Sequence, residues 1–167
     1  MRTIFLVRDA ERASASKTDA LSPAGTKRAE CLANVLKDAG IRQVFVNEIK
    51  TTQLTAAPIA KQLKLNPTVL PALDSGGLVR KAFYEGTGNS LVVADLESLP
   101  TIAAKMKGGK AAITEGEYDK LFEITVMEGA ATPLLTLHYC QATSTPTAVP
   151  SPTPRKSAPA KKSTTKK

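Results

Sequence analysis

Thr3-Ile4-Phe5-Leu6-Val7 is an unbroken apolar run of strand length, and it ends abruptly in Arg8-Asp9-Ala10-Glu11. An apolar run without alternation suits a strand buried on both faces, as in a parallel sheet. Charged side chains at the carboxyl end of such a strand stand where open α/β sheets place their ligands. The chain beyond repeats the pattern. Arg8–Ala20 is polar and reads as a loop. Ser22-Pro23 has the chemistry of a helix start, Ser as N-cap and Pro at the first helical position, with Gly40 as the stop. Gln43–Val46 reads as a second strand, Thr52–Leu63 as a second helix and Val69–Leu73 as a third strand. Leu78–Phe83 reads as a short helix, Ser90–Asp95 as a strand and Leu99–Met106 as a helix. After Gly108-Gly109, Leu121–Met127 and Pro133–Tyr139 read as a hairpin joined through Glu128–Ala131. Strands alternating with helices and closed by a hairpin predict a three-layer α/β/α domain with a mostly parallel central sheet and an antiparallel edge.

The length of 167 residues suits one domain, expected over residues 1–142. Thr143–Lys167 is built of Thr, Ser, Pro, Ala and Lys, has little to bury, and is expected to be a disordered tail. Arg155, Lys156, Lys161, Lys162, Lys166 and Lys167 supply six of the eight net positive charges, so the domain itself is only slightly basic. A weak polyanion contact, if any, belongs to residues 155–167 and not to the domain. No apolar run approaches the roughly 20 residues that span a bilayer. The start of the chain lacks the pattern of a secretory signal. Cys31 and Cys140 form neither a disulfide framework nor a metal spacing and are expected to be reduced thiols, which places the protein in the cytoplasm.

Three strand ends carry the chemistry. The first reads Arg8-Asp9-Ala10-Glu11. The second runs Asn47-Glu48-Ile49-Lys50-Thr51-Thr52-Gln53-Leu54-Thr55-Ala56 into a helix. The third is Val92-Val93-Ala94-Asp95-Leu96-Glu97-Ser98-Leu99-Pro100, and Leu21-Ser22-Pro23-Ala24-Gly25 precedes the first helix. In this order the segments resemble the histidine phosphatase, or phosphoglycerate mutase-like, superfamily. Its first strand ends in Arg-His-Gly or Arg-His-Ala-Glu. Its second motif spaces a Ser and an Arg ahead of Thr-Ala. Its third reads Val-Val-Gly-His-Ser-Asn-Thr-Leu-Pro.

The resemblance implies a phosphoglycerate mutase-like fold, and a phosphatase or mutase by ancestry. It also implies that Asp9 and Asp95 stand at the two histidine positions, and that Arg8, Asn47 and Thr51 stand at phosphate-pocket positions. Only Arg8 keeps the family's residue type, and no residue aligns with the family's acidic proton donor.

The family mechanism needs an imidazole nucleophile and cationic groups around a phosphoryl dianion. With Arg8, Asp9, Thr51 and Asp95 the sum of side-chain charges is negative, so ordinary histidine phosphatase chemistry is expected to be absent. The main expectation is a binding or scaffold module in which Arg8 lies between Asp9 and Asp95 as a salt-bridged plug. Asp9, Glu11 and Asp95 as oxygen ligands of a hard cation are a second arrangement. Otherwise no metal or cofactor is expected, and the partner is an unspecified protein or small molecule. Two other functions stay open: an active phosphomonoester or phosphohistidine phosphatase, and a polyanion-associated protein working through the tail. His138, the single histidine, lies in the late hairpin and reads as an ordinary strand residue. Gly86-Thr87-Gly88-Asn89 lacks the Lys of a P-loop and reads as a turn.

Overall fold

The computed structural model describes residues 1–15, 20–128 and 130–140; the tail expected from residue 143, and the boundary before it, lie outside these. Seven strands form one sheet. They are β1 (Arg2–Arg8), β2 (Ile41–Asn47), β3 (Thr68–Leu70), β4 (Asn89–Ala94), β5 (Lys120–Met127), β6 (Ala130–Ala131) and β7 (Leu135–His138). The order is β3-β2-β4-β1-β5-β6, with β7 also on β5. β3, β2, β4 and β1 run parallel, and β5 turns back antiparallel to β1. The expected α/β class, mostly parallel sheet and antiparallel edge are all present.

The parallel strands are buried on both faces because alternate residues enter two different cores. Ile4, Leu6, Val92 and Ala94 pack against Leu78, Phe83, Leu99 and Ile102. These come from α3 (Ser75–Val79), the π-helical turn Arg80–Tyr84 that continues it, and α4 (Leu99–Lys105). Val7, Val44, Val46, Leu91 and Val93 point the other way, onto Leu32, Leu36, Ala56 and Ile59. Those belong to α1 (Pro23–Leu36) and α2 (Lys50–Leu63). This is the helix–sheet–helix layering that the unbroken apolar runs require.

Local chemistry sets the boundaries. Ser22 caps α1 by accepting the Gly25 N–H at 3.0 Å, with Pro23 opening the helix. α1 ends at Leu36, short of the expected stop, and Gly40 at φ 65° turns the chain into β2. α2 starts at Lys50, two residues before the sequence reading placed it, and Ile49 lends only its backbone as a cap. β7 is shorter than the predicted Pro133–Tyr139 strand, and a two-residue β6 sits inside the predicted connection.

The expectation of two free thiols is overturned. Cys31 on α1 and Cys140 just after β7 form a disulfide, with Cα atoms 6.3 Å apart across a sequence separation of 109. The approach of α1 to the end of β7 is tertiary and leaves no trace in cysteine spacing.

Gly25 marks a second close approach. A Cβ built there would lie 2.1 Å from the Glu11 carbonyl oxygen, where the loop after β1 folds back onto α1 and Ser22 N–H donates to Glu11 O at 2.8 Å. Gly25→Ala is therefore expected to lower stability by about 1–3 kcal/mol through overpacking. Gly116→Ala, where nothing lies within 4 Å of an added Cβ, serves as the unaffected control in the same thermal melts.

Candidate functional site

The strand register brings the predicted residues together. Arg8 pairs with Ala94 and Val46 with Val93, so β1, β2 and β4 end side by side. Asp9 N–H then donates to Ala94 O at 2.9 Å, placing Asp9 beside the residue that precedes Asp95. Asp9, Asn47, Thr51 and Asp95 are each at most 4% exposed. They meet at the carboxyl edge of the sheet.

Asp9 is held by a residue the sequence reading passed over. Arg12 donates Nε to Asp9 Oδ2 at 2.8 Å, and its Nη2 lies 2.7 Å from the same oxygen. Thr51 Oγ1 donates to that oxygen at 2.6 Å. Thr51 thus supplies a neutral hydroxyl to a carboxylate. α2 fixes it there, and Thr55, one turn on, accepts the Ala10 N–H at 2.9 Å and ties the post-strand loop to the helix.

Asp95 is held differently. Asn47 Nδ2 donates to its Oδ1 at 2.9 Å, Ser98 Oγ donates to the same oxygen, and Glu97 N–H reaches Oδ2 at 3.3 Å. All three are neutral donors. Asn47 is itself oriented by Thr52, whose hydroxyl donates to Asn47 Oδ1 at 2.7 Å.

Arg8 is not the expected plug between the two aspartates. Its Nε stays 3.9 Å from Asp9 Oδ1, and neither atom has a hydrogen-bond partner among the described residues. Its Nη1 instead donates to the carbonyls of Thr114, Glu115 and Glu117, at 3.3, 2.6 and 3.3 Å, and the guanidinium lies 3.9 Å from the centre of the Tyr118 ring. The guanidinium is thus turned toward the Thr114–Glu117 backbone and the face of Tyr118, a cation–π contact. Arg12, three residues after Asp9, takes the plug's role; its spacing within Arg8-Asp9-Ala10-Glu11-Arg12 was the available signal.

Glu11 likewise leaves the site. Arg28 grips it through Nε at 2.8 and 2.9 Å and through Nη2 at 2.8 Å. Burial works against the Arg28 charge, but the Glu11 hydrogen bonds and charge outweigh it and raise the pKa above the ordinary arginine value. The arrangement of Asp9, Glu11 and Asp95 around a cation is therefore not formed, and no cluster of three potential metal-ligating side chains occurs among the described residues. His138 pairs with Lys120, across β5 from the end of β1, and its Nδ1 lies 2.7 Å from Asp119 Oδ2.

A cavity of about 250 Å³ opens beside the two aspartates, and Arg8, Arg12, Asp95, Glu97, Glu115 and Tyr118 are among its lining residues. Its rim carries two guanidinium groups and three carboxylates.

The first half of the chain, residues 4–76, matches the family model of the histidine phosphatase superfamily, branch 1. The fold is that of the histidine phosphatase superfamily. The protein histidine phosphatase SixA in its tungstate complex superposes with a TM-score of 0.67 at 22% identity, covering 81% of this chain and 96% of that one. An alpha-ribazole phosphatase from Shigella flexneri gives 0.61 at 16% identity, covering 81% and 96%. A mycobacterial glucosyl-3-phosphoglycerate phosphatase gives 0.61 at 11% identity, covering 83% and 98%. No curated protein matches the sequence. On this fold the ends of β1 and β4 carry two buried, hydrogen-bonded aspartates, Asp9 and Asp95.

Removing the Arg12 side chain leaves the Asp9 carboxylate buried with only the Thr51 hydroxyl. Arg12→Ala should cost about 3 kcal/mol in denaturant unfolding. Adding Asp9→Asn to that variant should restore a large part of the loss, because the stranded charge is gone.

The Thr114–Lys120 loop that receives Arg8 depends on Glu117. Lys120 and the Thr114 backbone and hydroxyl donate to its carboxylate and hold the pKa at about 2, against an ordinary value of 4.5. A depressed carboxyl pKa gives stabilisation that is complete above 4.5 and is lost as pH falls through about 2. An NMR titration of Glu117 should place its midpoint near 2, with the Thr114 amide shift following the same curve.

Proposed function

We propose that this chain is a pseudophosphatase, a histidine phosphatase-fold domain that has lost phosphoryl transfer and acts as a binding or scaffold module. One observation carries the reading: the Asp9 carboxylate, which the strand-end motif aligns with the family nucleophile, already occupies Arg12 and Thr51. A carboxylate so placed does for the pocket's cation what a phosphate would do, and it does so permanently. No imidazole stands at either strand end to form a phosphohistidine. Asp95, held by neutral donors, has no cationic partner among the described residues. A phosphate dianion about 5 Å from such a charge is opposed by roughly 7 kcal/mol at an effective dielectric near 20.

The rival reading is an active phosphatase of the kind named for the structural neighbours. It rests on shared fold, which does not by itself carry activity. The domain's ligand is a protein or small molecule. The six positive charges of residues 155–167 favour a weak, salt-sensitive polyanion contact outside the domain. Among the described residues no helix is long and apolar enough to cross a membrane. The cytoplasmic placement expected from free thiols loses that support with the Cys31–Cys140 bond. Such bonds belong to oxidising compartments, or in the cytosol to redox-responsive pairs.

The purified protein should show no turnover of an aryl phosphate above background, with or without Mg²⁺. Turnover that depends on Asp9 or Asp95 would contradict the reading. In calorimetry, inorganic phosphate should bind the unaltered protein barely or not at all. Asp9→Asn/Asp95→Asn should bind it measurably more tightly, since the change removes two negative charges and releases Arg12.

A further inference from the structure

A cavity of about 590 Å³ opens away from the aspartate site. It lies along α1, lined by Glu11, Pro23, Lys27, Arg28, Cys31 and Cys140 among others, so both sulfur-bearing residues of the disulfide face it. Cys140 is exposed and Cys31 half-buried. A structural disulfide is ordinarily sealed in a core, whereas this one is reachable from solvent through an open cleft.

The two sulfurs are not equivalent. Cys31 follows Lys27 and Arg28 by four and three residues on α1, so both cations share its helix face. Cys140, at φ 62° just past the last strand, is exposed, whereas Cys31 on α1 is half-buried. An entering thiolate would therefore bond to the more accessible Cys140 Sγ and expel Cys31 Sγ.

The strand on the Cys140 side is weakly held. All four β7 residues are exposed, and their pairing with β5 spans only Lys120–Glu123. Beyond it, Tyr139 N–H donates to Asp119 O at 2.8 Å and its buried ring lies 5.8 Å from the Arg28 guanidinium. Burial pushes the Tyr139 phenol well above its ordinary pKa, so it stays neutral. The covalent bond to α1 is the strongest attachment the chain has at the point where residues 141–167 begin.

We propose that Cys31–Cys140 is a thiol–disulfide exchange site, a clasp that a dithiol reductant opens and an oxidised thiol closes. Opening transfers two electrons from the dithiol. Its first sulfur forms a mixed disulfide with Cys140 and releases Cys31. Its second sulfur displaces Cys140, leaving two protein thiols and a cyclic disulfide of the reductant. The opened clasp frees β7 while the parallel core stays folded. This inference does not depend on the pseudophosphatase reading.

The test uses the full chain without denaturant. Dithiothreitol at millimolar concentration should expose two thiols per chain, and oxidised glutathione should close them again. In the reduced protein, amide exchange over residues 135–140 should quicken at least ten-fold, with β1, β2 and β4 unchanged. Cys31→Ser/Cys140→Ser should reproduce the reduced pattern. Brief treatment with reduced glutathione should leave glutathione on Cys140. Thiols that appear only after denaturation, exchange that quickens across the whole domain, glutathione on Cys31, or thiols already free in the air-oxidised protein would each overturn the proposal.

Discussion

Asp9 brings a carboxylate to the end of β1 with no exposure to water, and the surroundings are arranged around that charge. A buried carboxylate is tolerated only where cations and hydrogen-bond donors replace its hydration. Here Arg12 and Thr51 converge on one oxygen. Arg12 can reach it because the loop after β1 doubles back on α1, an approach that requires Gly25 and is anchored by the grip of Arg28 on Glu11. One constraint thus links the strand end, the loop, the first helix and the second.

The two aspartates are solved by different chemistry. Asp9 is matched by a cation, Asp95 by an amide, a hydroxyl and a backbone N–H. The distinction bears on ligand choice. A pocket with one carboxylate matched by a cation and one held by neutral donors among the described residues, and with Arg8 drawn onto carbonyls and Tyr118, presents little free positive potential to an anion.

The scaffold was readable because it rests on local signals. The Thr3–Val7 and Leu91–Val93 runs, the Ser22-Pro23 start and the strand-end spacing each follow from short-range chemistry, and the strands fall into register as those motifs require. Residue pairings were less readable. Arg8 had the right charge and position for Asp9, yet the carbonyls of Thr114, Glu115 and Glu117, more than a hundred residues away, hold it. Glu11 went to Arg28, and Cys31 to Cys140, for the same reason: partners supplied by tertiary approach leave no periodicity in the chain. Arg12 and Ser98 were within reach, each three residues after the aspartate it serves.

The central claim is that Arg12 is held by Asp9 and is not available to phosphate. The Arg12 Nε–H resonance reports this directly when the protein is titrated with inorganic phosphate at neutral pH. The account predicts a resonance slow to exchange with water and unmoved by phosphate, with a saturable shift appearing only in Asp9→Asn. A saturable shift of Arg12 in the unaltered protein would show that phosphate displaces the carboxylate and that the pocket remains a phosphate site.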